Sequence, residues 1–337
     1  MEENIITSTQ NARIKHVVAL QQKSSLRREE GLFVVEGQRE IEHCIACGYE
    51  IEEVYVLSRK EGVSSNVECG MWNENTHAAV KTHAEEKRNA EEKRNAEGKK
   101  TQGNVDRNSS QNISHSTFHI PHSTFHIPHS SRIFPPSSNI TTLVTSQVYE
   151  KMAYRDSTEG IIAVAKVKDH SLKNLRLNKA NPLIVVLESV EKPGNLGAIL
   201  RTSEAANVDA VIVCDPLTDV YNPNLIRASI GGVFSVPIAT CSSKECITFL
   251  KENKVRILTA QLQDSYDYYD YDMRQATALV MGTESTGLSQ QWREAADAHI
   301  RIPMLGRLDS LNVSVSTAIL IYEAVRQRNA TYQKSII

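Results

Sequence analysis

LIVVLESVEKPGNLGAILRT, residues 183–202, reads as a buried strand, a tight turn and the start of a helix. The run 183–187 is apolar without alternation, the pattern of a strand covered on both faces. Gly194 and Gly197 permit a tight turn, Asn195 stands near a helix start, and Ile199 and Leu200 continue a helical pattern. Further along, AVIVC (210–214), VRILTA (255–260), TALVM (277–281) and HIRIP (299–303) alternate with helix-length amphipathic segments. This spacing predicts an α/β fold over 181–330, a mostly parallel sheet flanked by helices. Ligands of such sheets bind beyond the carboxyl ends of the strands, so the loops that follow these runs are the candidate sites.

Three of those loops are unusual. In the first, Arg201 lies about two turns into the helix, near enough to the strand ends to meet a phosphate or a developing anion, although an ordinary surface arginine has the same spacing. In the second, MGTESTGLS (281–289), Gly282 at the strand end lets a ligand touch the backbone, and Glu284 is either functional or a first-turn acid favoured by the next helix. In the third, IPMLGRLDSLNVSVSTAILIYEAVRQR (302–328), Ser310, Leu311 and Asn312 precede a long amphipathic helix, and Ser310 or Asn312 is a candidate N-cap. Neither G-x-G-x-x-G nor G-x-x-x-x-G-K-[ST] is present, which counts against a dinucleotide or nucleoside triphosphate site.

Upstream, FVVEG (33–37), QREIEHCIACG (38–48) and IEEVYVL (51–57) form a strand, helix, strand pattern. TTLVTSQVYEKMAYRDS (141–157) reads as a helix, and GIIAVAKV (160–167) as a strand completing that unit. Between them, residues 59–139 are polar and carry AEEKRN twice (84–89, 90–95) and HSTFHIP twice (115–121, 122–128), the composition of a mostly disordered insert. The division expected is therefore 1–58 with 140–168 as one α/β domain, 59–139 as the insert, 169–180 as a linker and 181–330 as the second domain.

With 337 residues, 40% hydrophobic, 23% charged and a net charge of −2, the chain is neither a polycation nor wholly disordered. A local basic face remains, because Arg13, Lys15, Lys23, Arg27 and Arg28 fall in a stretch with no acid. No apolar run approaches a membrane span and the first residues lack a secretory pattern, so no membrane partner and a cytoplasmic location are expected. Of six cysteines, only Cys44 and Cys47 form a CxxC, without the second pair a zinc site of that kind requires, and no metal is expected. DSYDYYDYD (264–272) reads as an exposed acidic loop, since its four aspartates repel phosphate.

PGNLGAILRT, MGTESTGLS and IPMLGRLDSLNVSVS resemble motifs one, two and three of the TrmH/SpoU branch of the SPOUT methyltransferases, and RASIGGVFSVPI (227–238) is similar to the stretch between the first two. Residues 11–57 resemble that family's ribosomal-protein-like substrate-binding domain, whereas the insert departs from its pattern. The resemblance implies an S-adenosylmethionine-dependent methyltransferase acting on the ribose 2′-hydroxyl of structured rRNA or tRNA, rRNA being favoured, with a C-terminal trefoil knot and a homodimer formed through the last helix. It implies cofactor contacts at Gly282, Ile302 and Leu311, beside which Met304 can help wall an apolar adenine slot, and catalytic or orienting roles for Arg201, Asn195, Glu284, Ser310 and Asn312. A guanidinium almost never deprotonates in proteins, so positioning and charge stabilisation suit Arg201 better than base catalysis. Two rivals are a non-enzymatic RNA-binding module, which leaves the glycine loops at Gly282 and Gly306 unexplained, and a nicotinamide-dependent oxidoreductase, which lacks its glycine fingerprint.

Overall fold

The computed structural model describes residues 5–58, 140–154, 159–283 and 285–334. The repeat-bearing insert and Glu284 lie outside the described residues.

Two sheets organise the chain. The first contains β1 (Ile5–Ile6), β2 (Leu32–Glu36), β3 (Ile51–Leu57), β4 (Thr141–Val144) and β5 (Ile161–Lys166), in the order β1-β4-β3-β5-β2. The pairs β1/β4 and β3/β4 are parallel, while β5 runs antiparallel to both β3 and β2. Residues 141–157, read as one helix, divide into β4 and the helix Ser146–Met152. β4 has alternating burial and joins the edge of β3, so pairing overrides the helical pattern there.

The second sheet is parallel in all its pairings. It contains β6 (Leu183–Glu188), β7 (Ala210–Cys214), β8 (Ile238–Cys241), β9 (Arg256–Ala260), β10 (Tyr266–Asp267), β11 (Thr277–Met281) and β12 (Ala298–Arg301), ordered β10-β12-β9-β11-β6-β7-β8. Every residue of β6, β7 and β11 is buried, as unbroken apolar runs in a helix-covered sheet require. Two apolar clusters fill the two faces: Val185, Leu187, Val211, Val213 and Leu279 contribute to one, and Ile184, Val186, Ile212, Ala278 and Val280 to the other. Two edge strands escaped the sequence reading. β8 is only four residues long, and β10 lies inside the acidic segment, where Asp267 pairs with Arg301 at 2.8 Å.

The first loop is not the glycine turn expected. The chain leaves β6 through Ser189 at φ 51°, and an added Cβ at Gly194 would meet nothing within 4 Å. Gly197 matters for packing instead: a Cβ there would lie 2.5 Å from Ala228 Cβ and 2.9 Å from Leu225 O, so the helices Pro193–Ala205 and Pro223–Ser229 meet backbone to backbone. Gly197→Ala is expected to cost about 1–3 kcal/mol as those helices separate, measured by urea unfolding.

Aromatic and polar contacts join the two sheets' units. Phe33 of β2 stacks on Tyr221 at 4.2 Å between centroids, and Tyr49 meets Phe234 edge-on at 5.2 Å. Arg27, counted above in the basic face, is buried instead: its Nε donates to Asp219 at 2.5 Å and its Nη1 to the Leu20 carbonyl at 2.6 Å. The stretch 169–180 follows the second sheet closely, since Thr240 N donates to the His170 carbonyl at 2.7 Å and Leu175 enters the core.

His170 is largely enclosed, its Nε2 2.8 Å from the Tyr221 hydroxyl and its Nδ1 3.2 Å from the Ile238 carbonyl. Burial holds its pKa below the ordinary 6.5. The unfolded chain therefore takes up a proton that the folded ring resists, so stability is full above 6.5 and falls as the pH drops below it. Melting points recorded from about pH 8 to about pH 5 should decline less steeply in His170→Gln than in the parent.

Candidate active site

A cavity of about 570 Å³ opens beyond the carboxyl ends of β9, β11 and β12. Its walls include all four residues expected to hold the cofactor, Gly282, Ile302, Met304 and Leu311, together with Ser310 and Asn312. A second hollow of about 120 Å³ adjoins it, sharing Gly282, Thr283 and Val313 and adding Asn195 and Lys192. Asn195 and Asn312 meet although 117 residues separate them, with Asn312 Nδ2 donating to Asn195 Oδ1 at 3.2 Å. Asn312 is also the cap of the helix Val313–Lys334, accepting from Ser314 N at 3.0 Å and Ser314 Oγ at 2.6 Å. Capping and orienting are two uses of one side chain.

The glycine-containing loop is closed on itself. Thr283 and Gly287 exchange two backbone hydrogen bonds of 3.2 Å, and Gly287 adopts φ 68°. Inside this closure Gly282 has no room for a side chain, since a Cβ would lie 2.3 Å from Gly287 C and 2.6 Å from Leu288 N. The sequence reads Gly282 as leaving room for a ligand, whereas its close neighbour in the structure is the loop's own backbone.

Sequence reasoning missed two supports. Glu188, the last residue of β6 and buried, accepts from Ser289 N at 2.8 Å and Ser289 Oγ at 2.6 Å, anchoring the far end of that loop. Gln261, just after β9, lines the cavity, and its Oε1 is buried without a hydrogen-bond partner among the described residues. A glutamate at the end of an apolar strand and the loop after VRILTA were the available signals.

Arg201 stands apart. It is exposed on the helix Pro193–Ala205, lines neither hollow, and makes no hydrogen bond or ion pair among the described residues. Six residues of helix set its Cα about 9 Å along the axis from Asn195. Its backbone packs against Gly232, where an added Cβ would lie 3.5 Å from Arg201 Cα.

A buried parallel sheet with an apolar cavity at its strand ends and an amide pair at the rim is the architecture of a cofactor-using enzyme. The SpoU rRNA Methylase family model matches residues 182–322, covering all three loops, and the model of an MRM3-like substrate binding domain matches 11–88. The chain is 33% identical over 193 residues to the 23S rRNA (guanosine-2′-O-)-methyltransferase RlmB of Vibrio vulnificus, covering 56% of this chain and 78% of the relative. The chain belongs to the TrmH/SpoU family of RNA 2′-O-methyltransferases. A crystal structure of an RNA 2′-O ribose methyltransferase, 30% identical, superposes with a TM-score of 0.66 over 96% of this chain and 99% of that one. An AdoMet-bound rRNA methyltransferase from Sinorhizobium meliloti, 23% identical, shares the fold with a TM-score of 0.69 over 97% and 98% of the two chains. The family's three motifs are thus the three loops that build the cavity and its rim.

Proposed function

We propose that the chain transfers a methyl group from S-adenosylmethionine to a ribose 2′-hydroxyl of structured rRNA. The observation carrying this reading is the strand-end cavity bordered by the Asn195–Asn312 pair. About 570 Å³ lies within the roughly 300–1,000 Å³ range of small-molecule sites. Its residues fit the cofactor: Ile302, Met304 and Leu311 offer apolar walls, Gly282 leaves backbone exposed, and Gln261 Oε1 is an acceptor awaiting a donor. When bound, the cofactor supplies an electrophilic methyl group. Asn195 and Asn312 orient the ribose, with Ser310 beside them at the cavity wall and Glu284 assigned to holding the loop. Arg201, exposed and unpaired among the described residues, meets RNA phosphate and steadies the 2′-oxygen as its proton leaves. The preference for rRNA follows the activity named for the Vibrio vulnificus relative.

The five-stranded unit, from 1–58 and 140–168, is assigned to RNA binding, with 181–330 as the catalytic domain. Lys15, Lys23 and Arg28 are exposed on it, Arg13 is shared with Glu53 at 3.3 Å, and Arg27 is withdrawn into its buried pair. A trefoil knot is proposed for the segment after β12, whose helix packs against β11 and the helix Pro193–Ala205. No helix among the described residues is long and apolar enough to cross a membrane. A cytoplasmic location suits an rRNA substrate.

Methylation of ribosomal RNA transcripts with labelled cofactor tests the reaction. The expected product carries methyl on ribose, seen as resistance of the adjacent phosphodiester to alkaline cleavage; a methylated base would refute it.

The homodimer rests on the last helix. Its inner face uses Val313, Thr317, Leu320, Ile321 and Ala324, leaving Val315 at 47% and Tyr322 at 50% exposure, while Leu305 before it is 97% exposed. Of the positions Val315, Ala318, Ile319, Tyr322 and Val325, Val315 and Tyr322 are exposed, Ala318 and Ile319 are half-buried and Val325 packs against the core, and a second copy is the proposed cover of the exposed pair. Sedimentation at micromolar concentration should give a dimer that Val315→Asp with Tyr322→Asp converts to monomer; a monomeric parent would remove the dimer.

A further inference from the structure

Cys214 and Cys241 end the adjacent parallel strands β7 and β8 and are register partners, which sets their side chains on one face of the sheet. The helix Ser243–Glu252 crosses that face and brings Cys246 to the same point. The three sulfurs lie within 4.8 Å of one another, and none is in a disulfide. We propose that Cys214, Cys241 and Cys246 form a three-thiolate site for a thiophilic d10 cation, Zn²⁺ being the ion to test.

Zn–S bonds of about 2.3 Å bring thiolates to about 3.8 Å from one another in a tetrahedron, so small side-chain adjustments close the site. Three protein ligands leave the fourth position to water. Coordination requires thiolates, and each thiol still protonated releases its proton to solvent as the metal enters. Cys241 immediately precedes the Ser242 cap of the helix, where the positive end of the macrodipole lies. The cluster is also braced: the buried Trp292 indole donates to Ser243 Oγ at 3.0 Å, which donates to Asp215 at 2.6 Å. The site shares the carboxyl end of the sheet with the cofactor cavity but lies on its β8 side and shares no lining residue with it.

The test uses the full chain, reduced and freed of metal. Co²⁺ should give a thiolate charge-transfer band at a single equivalent, and Zn²⁺ should displace it. Cys241→Ser and Cys246→Ser should each weaken binding by about tenfold or more, whereas the double variant Cys44→Ser, Cys47→Ser should bind as the parent does. The thiolate band separates this site from the histidines at 115–129, which give none. A readout on the parent guards against misfolded variants: Zn²⁺ should protect Cys214, Cys241 and Cys246 from alkylation while leaving Cys44 and Cys47 unchanged. No thiolate band in the reduced parent, a band lost only with Cys44 and Cys47, or unaltered alkylation would overturn the proposal.

Discussion

Arg201→Ala should abolish methyl transfer while leaving cofactor affinity nearly intact. The side chain is exposed, lines neither hollow and has no polar partner among the described residues, so its loss removes no cavity wall. For the same reason the fold should change by no more than about 0.5 kcal/mol, which separates a catalytic defect from a folding defect. One positioned electrostatic contact at a developing anion is worth about a hundredfold or more in rate. Arg201→Lys keeps the charge but loses the planar fork that grips phosphate and oxygen together, and it too should be severely impaired. Single-turnover methylation of a defined RNA beside calorimetric cofactor titration gives both readouts. Parent-like rates in Arg201→Ala would refute the assigned role.

Gly282→Val should eliminate cofactor binding and lower the melting point together. The sequence alone reads Gly282 as letting a ligand touch the backbone, and the structure adds a nearer reason. Here the first added carbon already lies 2.3 Å from Gly287 C and 2.5 Å from Gly287 O, so the loop must open before the cofactor is considered. Backbone cannot rotate aside as a side chain can, and the two hydrogen bonds joining Thr283 to Gly287 are the first to break. Gly287→Ala is the informative contrast. Its Cβ would meet nothing within 4 Å, and only the φ of 68° is unfavourable, worth about 1–2 kcal/mol. Calorimetry and thermal unfolding should therefore rank Gly282→Val far below Gly287→Ala; equal effects would show that crowding at Gly282 is not what shapes the cavity.

The central strands were legible because each is an apolar run between polar turns, and burial on both faces leaves no other assignment for 183–187, 210–214 or 277–281. β10 was hidden by its aspartates, and β4 by a helical pattern that continues from its own end into the next helix. Of the residues proposed to hold the cofactor, Gly282, Ile302 and Leu311 come from the motif resemblance and Met304 from its apolar place beside them, and all four line one cavity. Glu188 and Gln261 were not legible, because a glutamate ending an apolar strand and the loop after VRILTA do not say what each side chain meets; their roles exist only once Ser289 and the strand ends surround them.

By itself, then, the sequence determined the strand and helix alternation, the parallel sheet, the three loops at its carboxyl end and the family to which they belong. These are local properties, carried by periodicity, turn residues and short motifs. Tertiary structure alone decided what converges. It joined Asn312 to Asn195 across 117 positions, turned Arg27 from a surface cation into a buried partner of Asp219, and left Val315 and Tyr322 of the last helix exposed. It also brought together Cys214, Cys241 and Cys246, of which only Cys241 and Cys246 are close in sequence. Parallel strands place chain-distant residues side by side at their carboxyl ends, and that register depends on the packing of the whole sheet rather than on any one segment.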